Sequence, residues 1–141
     1  MPLTYIPDPQ GPSHVQGTNP MTTADALASI DRQASLGDWS RACLVDLRRV
    51  TWLPTPREVR RLICQIEHQN LTHGRRGPVA FVVDGHKALF GMLRMYSILA
   101  DDIDDIGVFD NVDDAIPWLA THTSRMHAAV EAAEPLGQLS A

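Results

Sequence analysis

The chain has 141 residues, of which 44% are hydrophobic and 21% charged, and its formal net charge is −5. That length suits one domain, and the composition excludes both a disordered chain and a membrane-spanning helix, since no apolar run approaches the ~18 residues a span needs. The negative charge argues against a phosphate backbone as partner, because nucleic-acid affinity comes chiefly from clustered Lys and Arg that release counterions.

Residues 1–20 hold five of the ten prolines. Structure there is confined to short strands, and Leu3–Ile6 is expected to pair with Ser13–Gly17 as a hairpin around Asp8-Pro9-Gln10-Gly11. The start, Met-Pro-Leu-Thr-Tyr-Ile-Pro, has neither the basic segment nor the apolar stretch of a secretion signal. Cys43 and Cys64 read as unpaired core thiols, so the sequence-based expectation is a cytoplasmic protein.

Thr22 with Asp25 three residues on is a helix start, and Leu27, Ile30 and Ala34 recur on one face before Gly37, which predicts a helix over about 23–36. The segment 42–47 (ACLVDL) is almost continuously apolar, as suits a strand covered on both faces. Thr55-Pro56-Arg57-Glu58 combines an N-cap, Pro at the first helical position and the Glu of a capping box. The helix it opens carries Val59, Leu62, Ile63 and Ile66 on one stripe and closes at His73-Gly74.

A second buried-type strand, 78–84 (PVAFVVD), turns through Gly85-His86 into a helix from Lys87 to about Leu99. Gly91 inside that helix is expected to mark a close approach of backbone, because a mid-helix glycine otherwise costs about 1 kcal/mol. A third strand, Ile106–Phe109, leads through Asp110-Asn111 into a helix begun by Asp113 and Asp114 and expected to bend at Pro117. Residues 121–141 read as an extension of that helix with a frayed end after Pro135. The order predicts an α/β fold over residues 1–141, with a mixed, mostly parallel sheet of about five strands, right-handed crossovers and helices packed against it.

No motif for a hydrolase, kinase or dehydrogenase occurs, and the six histidines form no zinc-binding pair. The expectation is no enzyme activity, no metal and no cofactor. The acidic run Asp101-Asp102-Ile103-Asp104-Asp105 reads as a solvated turn. Arg57, Arg60 and Arg61 read as a solvated helix face, and Arg75 with Arg76 as a turn. In open α/β sheets, ligands and partners meet the crevice beyond the carboxyl ends of the strands. Here that edge holds Asp46, Trp52, Leu53, Arg57, His86 and Lys87, with Trp52 and Leu53 either a plug over the sheet or an exposed contact patch. Thr55 reads as a helix cap.

The segments LVDLRRVTWLPTPREV (44–59), PVAFVVD, GMLRMY and VFDNVDDAIPWL together resemble the SpoIIAA-like group of STAS domains, the bacterial anti-sigma-factor antagonist fold, in particular its small stand-alone STAS/SEC14-related members. The resemblance covers about residues 40–120 in sequence and the first forty in element order. It implies that Thr55 stands at the phosphoacceptor position and Asp46 at the acidic end of the preceding strand. Pro54, Pro56 and Arg57 replace the Asp and small residues of the family's turn. The function it implies is a non-catalytic regulatory or interaction module with a protein partner, a homodimer being one form of it. The alternative is a carrier of a lipid or apolar small molecule, with its pocket between the sheet and the second and third helices.

Overall fold

Two kinds of apolar pattern, short continuous runs and helical stripes, alternate along this chain, and the architecture follows from that alternation. The computed structural model describes residues 2–123. Its strands are β1 (Leu3–Ile6), β2 (Ser13–Gly17), β3 (Cys43–Asp46), β4 (Val79–Val82) and β5 (Ile106–Phe109). Its helices are α1 (Thr23–Ser35), α2 (Pro56–His73) and α3 (Lys87–Leu99), followed by a helix, α4, over residues 112–123 at the limit of the described residues. The five strands form one sheet in the order β1-β2-β3-β4-β5, with β1 antiparallel to β2 and the rest parallel. The α/β class, the mixed sheet and the four helices agree with the sequence-based expectation.

Because sequential parallel strands lie side by side, crossovers of one hand put α1, α2 and α3 on the same face. Strand alternation then sends Val15, Cys43, Val45, Val79 and Phe81 toward those helices. Leu44, Ala80 and Val82 point to the opposite face, where Ala115 and Leu119 of α4 cover them. β3 and β4 are therefore covered on both sides, which is why their sequences run apolar without interruption.

The helix termini follow local chemistry. Thr22 and Thr55 each complete a capping box, with Asp25 and Glu58 respectively, and Gly74 closes α2 at φ 80°. A second glycine, Gly77, is required by space, since a Cβ there would lie 2.4 Å from the Arg41 carbonyl oxygen and 2.6 Å from that of Ser40. Its N–H donates to the Trp39 carbonyl at 2.9 Å, and so the turn into β4 is sewn against the turn into β3.

The structure corrects several expectations. Gly91 is exposed and a Cβ there would meet nothing within 4 Å, so no close approach explains it. Cys43 is buried in β3, but Cys64 is exposed, because the buried stripe of α2 (Val59, Leu62, Ile66) leaves position 64 on the opposite side. Arg76 and Asp104, expected in solvated turns, are both buried. The expected extension and fraying of α4 beyond Thr123 lie outside the described residues.

Candidate functional site

The parallel register aligns Asp46 with Val82 and Val82 with Phe109, so the carboxyl ends of β3, β4 and β5 form one edge, as the sequence places it. The loop from β3 to α2 is anchored over that edge by buried Leu47, Val50 and Pro54 and by the Thr51 N–H donating to Asn19 Oδ1 at 2.9 Å. Trp52 is half-buried against both main core clusters, and its Nε1–H donates to Thr23 Oγ1 at 3.1 Å. It is a plug. Leu53, next in the chain, is 48% exposed.

Most polar candidates at this edge already have local partners. Thr55 is exposed and its Oγ1 accepts from the Glu58 N–H at 3.2 Å, while Glu58 Oε1 accepts from the Thr55 N–H at 3.0 Å. Glu58 also accepts from the Thr23 hydroxyl, and these bonds, the one from Thr23 foremost, hold its carboxyl below the usual range. Asp46 receives the Arg48 guanidinium at 3.0 and 2.9 Å, which likewise lowers its carboxyl's pKa. His86 Nδ1 accepts from the Leu89 N–H at 3.2 Å and caps α3. Each cap occupies one of the helix-start N–H groups, that of Glu58 in α2 and that of Leu89 in α3, which an anion would otherwise use. Arg57 and Lys87 are exposed.

Arg57 belongs to a larger feature. With Arg60, Arg61, Cys64, Gln65 and Leu27 of α1 it lines an open groove of about 400 Å³ along α2. No carboxylate lines this groove, and none of the three arginines forms an ion pair among the described residues. Helical spacing continues the same face to His68 and Leu71, the latter 87% exposed.

The opposite, amino end of the sheet holds a buried polar network that the sequence reading missed. The Arg76 Nε–H donates to Gln33 Oε1 at 2.8 Å, and Nη1 lies 3.4 Å from Asp104 Oδ2. The guanidinium also sits 5.2 Å from the centre of the Trp39 ring. Asn70 ties the surroundings together, its Oδ1 accepting from the Arg76 N–H and Trp39 Nε1–H and its Nδ2–H donating to the Ile103 carbonyl. Among the described residues Asp104 Oδ1 has no hydrogen-bond partner. Burial pushes the Asp104 carboxyl up to about 6 despite Arg76, and pushes the Cys43 thiol up to about 11. A signal for the pair did exist, because Arg76 and Asp104 stand just before strands β4 and β5, which register Val79 against Ile106.

Two adjoining cavities of about 60 Å³ each lie between the sheet and α1 and α2, sharing Leu3, Val15, Ser29, Val45 and Arg76 as walls. The lining extends to Leu93 and Tyr96 of α3. Among the described residues no three His, Cys, Asp or Glu side chains converge as a metal-binding group. No helix among them is long and apolar enough to cross a membrane. No protein-family model, curated protein or solved structure matches the chain.

Proposed function

We propose that the protein is a non-catalytic interaction module that docks an acidic segment of a protein partner along the exposed face of α2, beginning at Leu53 on the sheet's carboxyl edge. The observation that carries this reading is the groove of Arg57, Arg60 and Arg61, three cations that form no ion pair among the described residues, on a chain of net charge −5. Glu58 feels the charge of Arg61 and Asp31 is held by Gln65 at the groove's edge, but neither forms an ion pair with these arginines, and an acidic segment would supply a closer counter-charge. Leu53 at one end and Leu71 at the other offer the apolar contact that a purely electrostatic encounter lacks. The resemblance to the SpoIIAA-like group supports the same reading, since it puts the regulatory surface at the turn containing Thr55.

Thr55 fits this proposal as a modulator. Its hydroxyl is exposed, and phosphorylation would add negative charge beside Arg57, two residues along. The added charge would both satisfy the helix start and compete with an acidic partner for the arginines.

The groove provides its own reporter in Cys64. A photo-cross-linker attached there, in extract of the source cells, is expected to capture a protein through an acidic segment. Arg57→Glu with Arg60→Glu is expected to abolish the product. Capture of a nucleic acid or a basic segment, or a product insensitive to the charge reversal, would overturn the reading.

A further inference from the structure

We propose that the outward stripe of α3 is a self-association surface, which pairs with the same stripe of a second copy of this chain, antiparallel across a two-fold axis. Lys87, Gly91, Arg94 and Ile98 recur at helical spacing, and all four are exposed. They lie opposite the buried stripe of Leu89, Leu93 and Tyr96 that faces the rest of the molecule. Ile98 is 70% exposed, the second most open of the large hydrophobic side chains after Leu71. Gly91 leaves a gap on the same stripe, since a Cβ there would meet nothing within 4 Å. Nothing inside the chain accounts for a glycine in mid-helix. Close approach of a second helix does.

The order of residues along the stripe is self-complementary, which singles out a second copy as the occupant. Gly91 and Ile98 stand seven positions apart, about two turns of helix. A two-fold axis at the height midway between Arg94 and Met95 therefore sets Ile98 of each copy over Gly91 of the other. The same operation sets Lys87, four residues before Gly91, against Asp102, four residues after Ile98. Lys87, Asp101 and Asp102 are exposed, and their side chains enter no ion pair among the described residues. Opposite charges thus meet at both ends of the pairing. A parallel pairing would instead set Lys87 beside Lys87 and leave both gaps unfilled. The two Arg94 side chains meet near the axis and repel, and α3, with 13 residues, is only about 20 Å long. The dimer is therefore of the weak, reversible class.

The test is sedimentation equilibrium of the whole protein from about 1 μM to about 1 mM, with the exposed Cys64 kept reduced. A monomer–dimer equilibrium with a dissociation constant of about 10–100 μM is expected. Gly91→Leu adds apolar surface at an open position, so it should remain folded and would strengthen any indiscriminate hydrophobic association. Across this crossing it collides with Ile98, and the dimer is expected to weaken about tenfold or more. Lys87→Glu suits a helix start and should also remain folded. Its charge is felt twice across the axis, so the dimer is expected to weaken about tenfold, and Lys87→Glu with Asp102→Lys to return within about threefold of the parent. A monomer throughout, open-ended polymers, a tighter dimer in Gly91→Leu, or no rescue by the charge exchange would each overturn the proposal. So would loss of the dimer in Arg57→Glu with Arg60→Glu, which would put the Asp101–Asp102 turn in the α2 groove instead. Cross-linking at Cys64 tests that groove independently of α3.

Discussion

Thr23, in the first turn of α1, donates its hydroxyl hydrogen to the carboxylate of Glu58 in the first turn of α2, so two helix starts separated by 35 positions share one acceptor. The same hydroxyl accepts from Trp52 Nε1–H, and the same carboxylate completes the capping box of Thr55. One short relay thus fixes the loop plug, both helix entries and the spacing of α1 from α2 at the sheet's carboxyl edge. Thr23→Val keeps the side-chain shape and removes the hydroxyl. It is expected to lower stability and to raise the Glu58 carboxyl toward the ordinary range, which carboxylate NMR would detect. The contribution of Glu58 is present at neutral pH and is lost as pH falls through its lowered pKa, so the variant's deficit should shrink in acid. A deficit independent of pH would assign the effect to packing instead.

Thr55→Ala removes the cap of α2 and is expected to cost about 1 kcal/mol in urea unfolding, whereas Thr55→Ser and Thr55→Asp retain the acceptor and should cost much less. The aspartate also places a negative charge near Arg57, and weaker Cys64 cross-linking in that variant is expected if Thr55 modulates the groove. Loss of stability in all three alike would show that the methyl contact matters and the cap does not.

Two glycines give opposite expectations. Gly91→Ala has open space around its Cβ and gains helix propensity, so stability should rise by about 0.5–1 kcal/mol. Gly77→Ala would drive a methyl into the Arg41 and Ser40 carbonyl oxygens and should lower stability sharply. A melting-temperature comparison of the two variants with the parent decides both.

Element boundaries were legible wherever local chemistry sets them. The capping boxes at Thr22 and Thr55 and the turn at Gly74 mark helix ends by hydrogen bonds between residues three or four apart, which a sequence displays directly. The hairpin of β1 and β2 was readable from Pro and Gly punctuation around positions 7–12. Asp46, Trp52, Leu53, Arg57, His86 and Lys87 were placed at the sheet's carboxyl edge by topology alone. What each does there depends on partners distant in sequence, such as Thr23 for Trp52, and no local pattern encodes those. The Arg76–Asp104 pair was hidden for the same reason. Arg-Arg and Asp-Asp runs ordinarily face water, and only the pairing of β4 with β5 turns one member of each inward. Cys64 has apolar neighbours in sequence, but the helical period puts it on the side of α2 opposite the buried Val59, Leu62 and Ile66.

The two thiols should differ in reactivity. Cys64 is exposed, while Cys43 is buried with its thiol pushed up to about 11. A thiol reagent at neutral pH is expected to label one cysteine in the native protein and both in denaturant, with Cys64 identified by mass. Rapid native labelling of Cys43 would mean that β3 opens readily or that its burial is misassigned.

Asp104 yields a pH dependence opposite to that of an ordinary paired carboxylate. Its carboxyl is raised by burial from 3.8 to about 6 in the folded state, so the native protein holds the proton more tightly than the unfolded chain does. Stability from this group is fully present below about pH 4 and declines as pH rises through about 6. The span corresponds to about 3 kcal/mol at most. Asp46 and Glu58, with lowered values, act the other way, but their contributions are lost only as pH falls through the ordinary carboxyl range. Between about pH 4.5 and about pH 7 the Asp104 effect should therefore dominate, and the urea midpoint should fall as pH rises. Asp104→Asn isolates it. Near pH 4 the amide replaces a protonated acid of similar shape and polarity. Near neutrality it replaces a carboxylate that is wholly buried, held 3.4 Å from Arg76 and without a partner for Oδ1 among the described residues. The variant should gain on the parent as pH rises, since the ionic attraction across that distance does not offset the carboxylate's lost hydration. If the parent instead gains on the variant, the Arg76 pair is the stronger effect, and Asp104 remains ionised throughout the acid range.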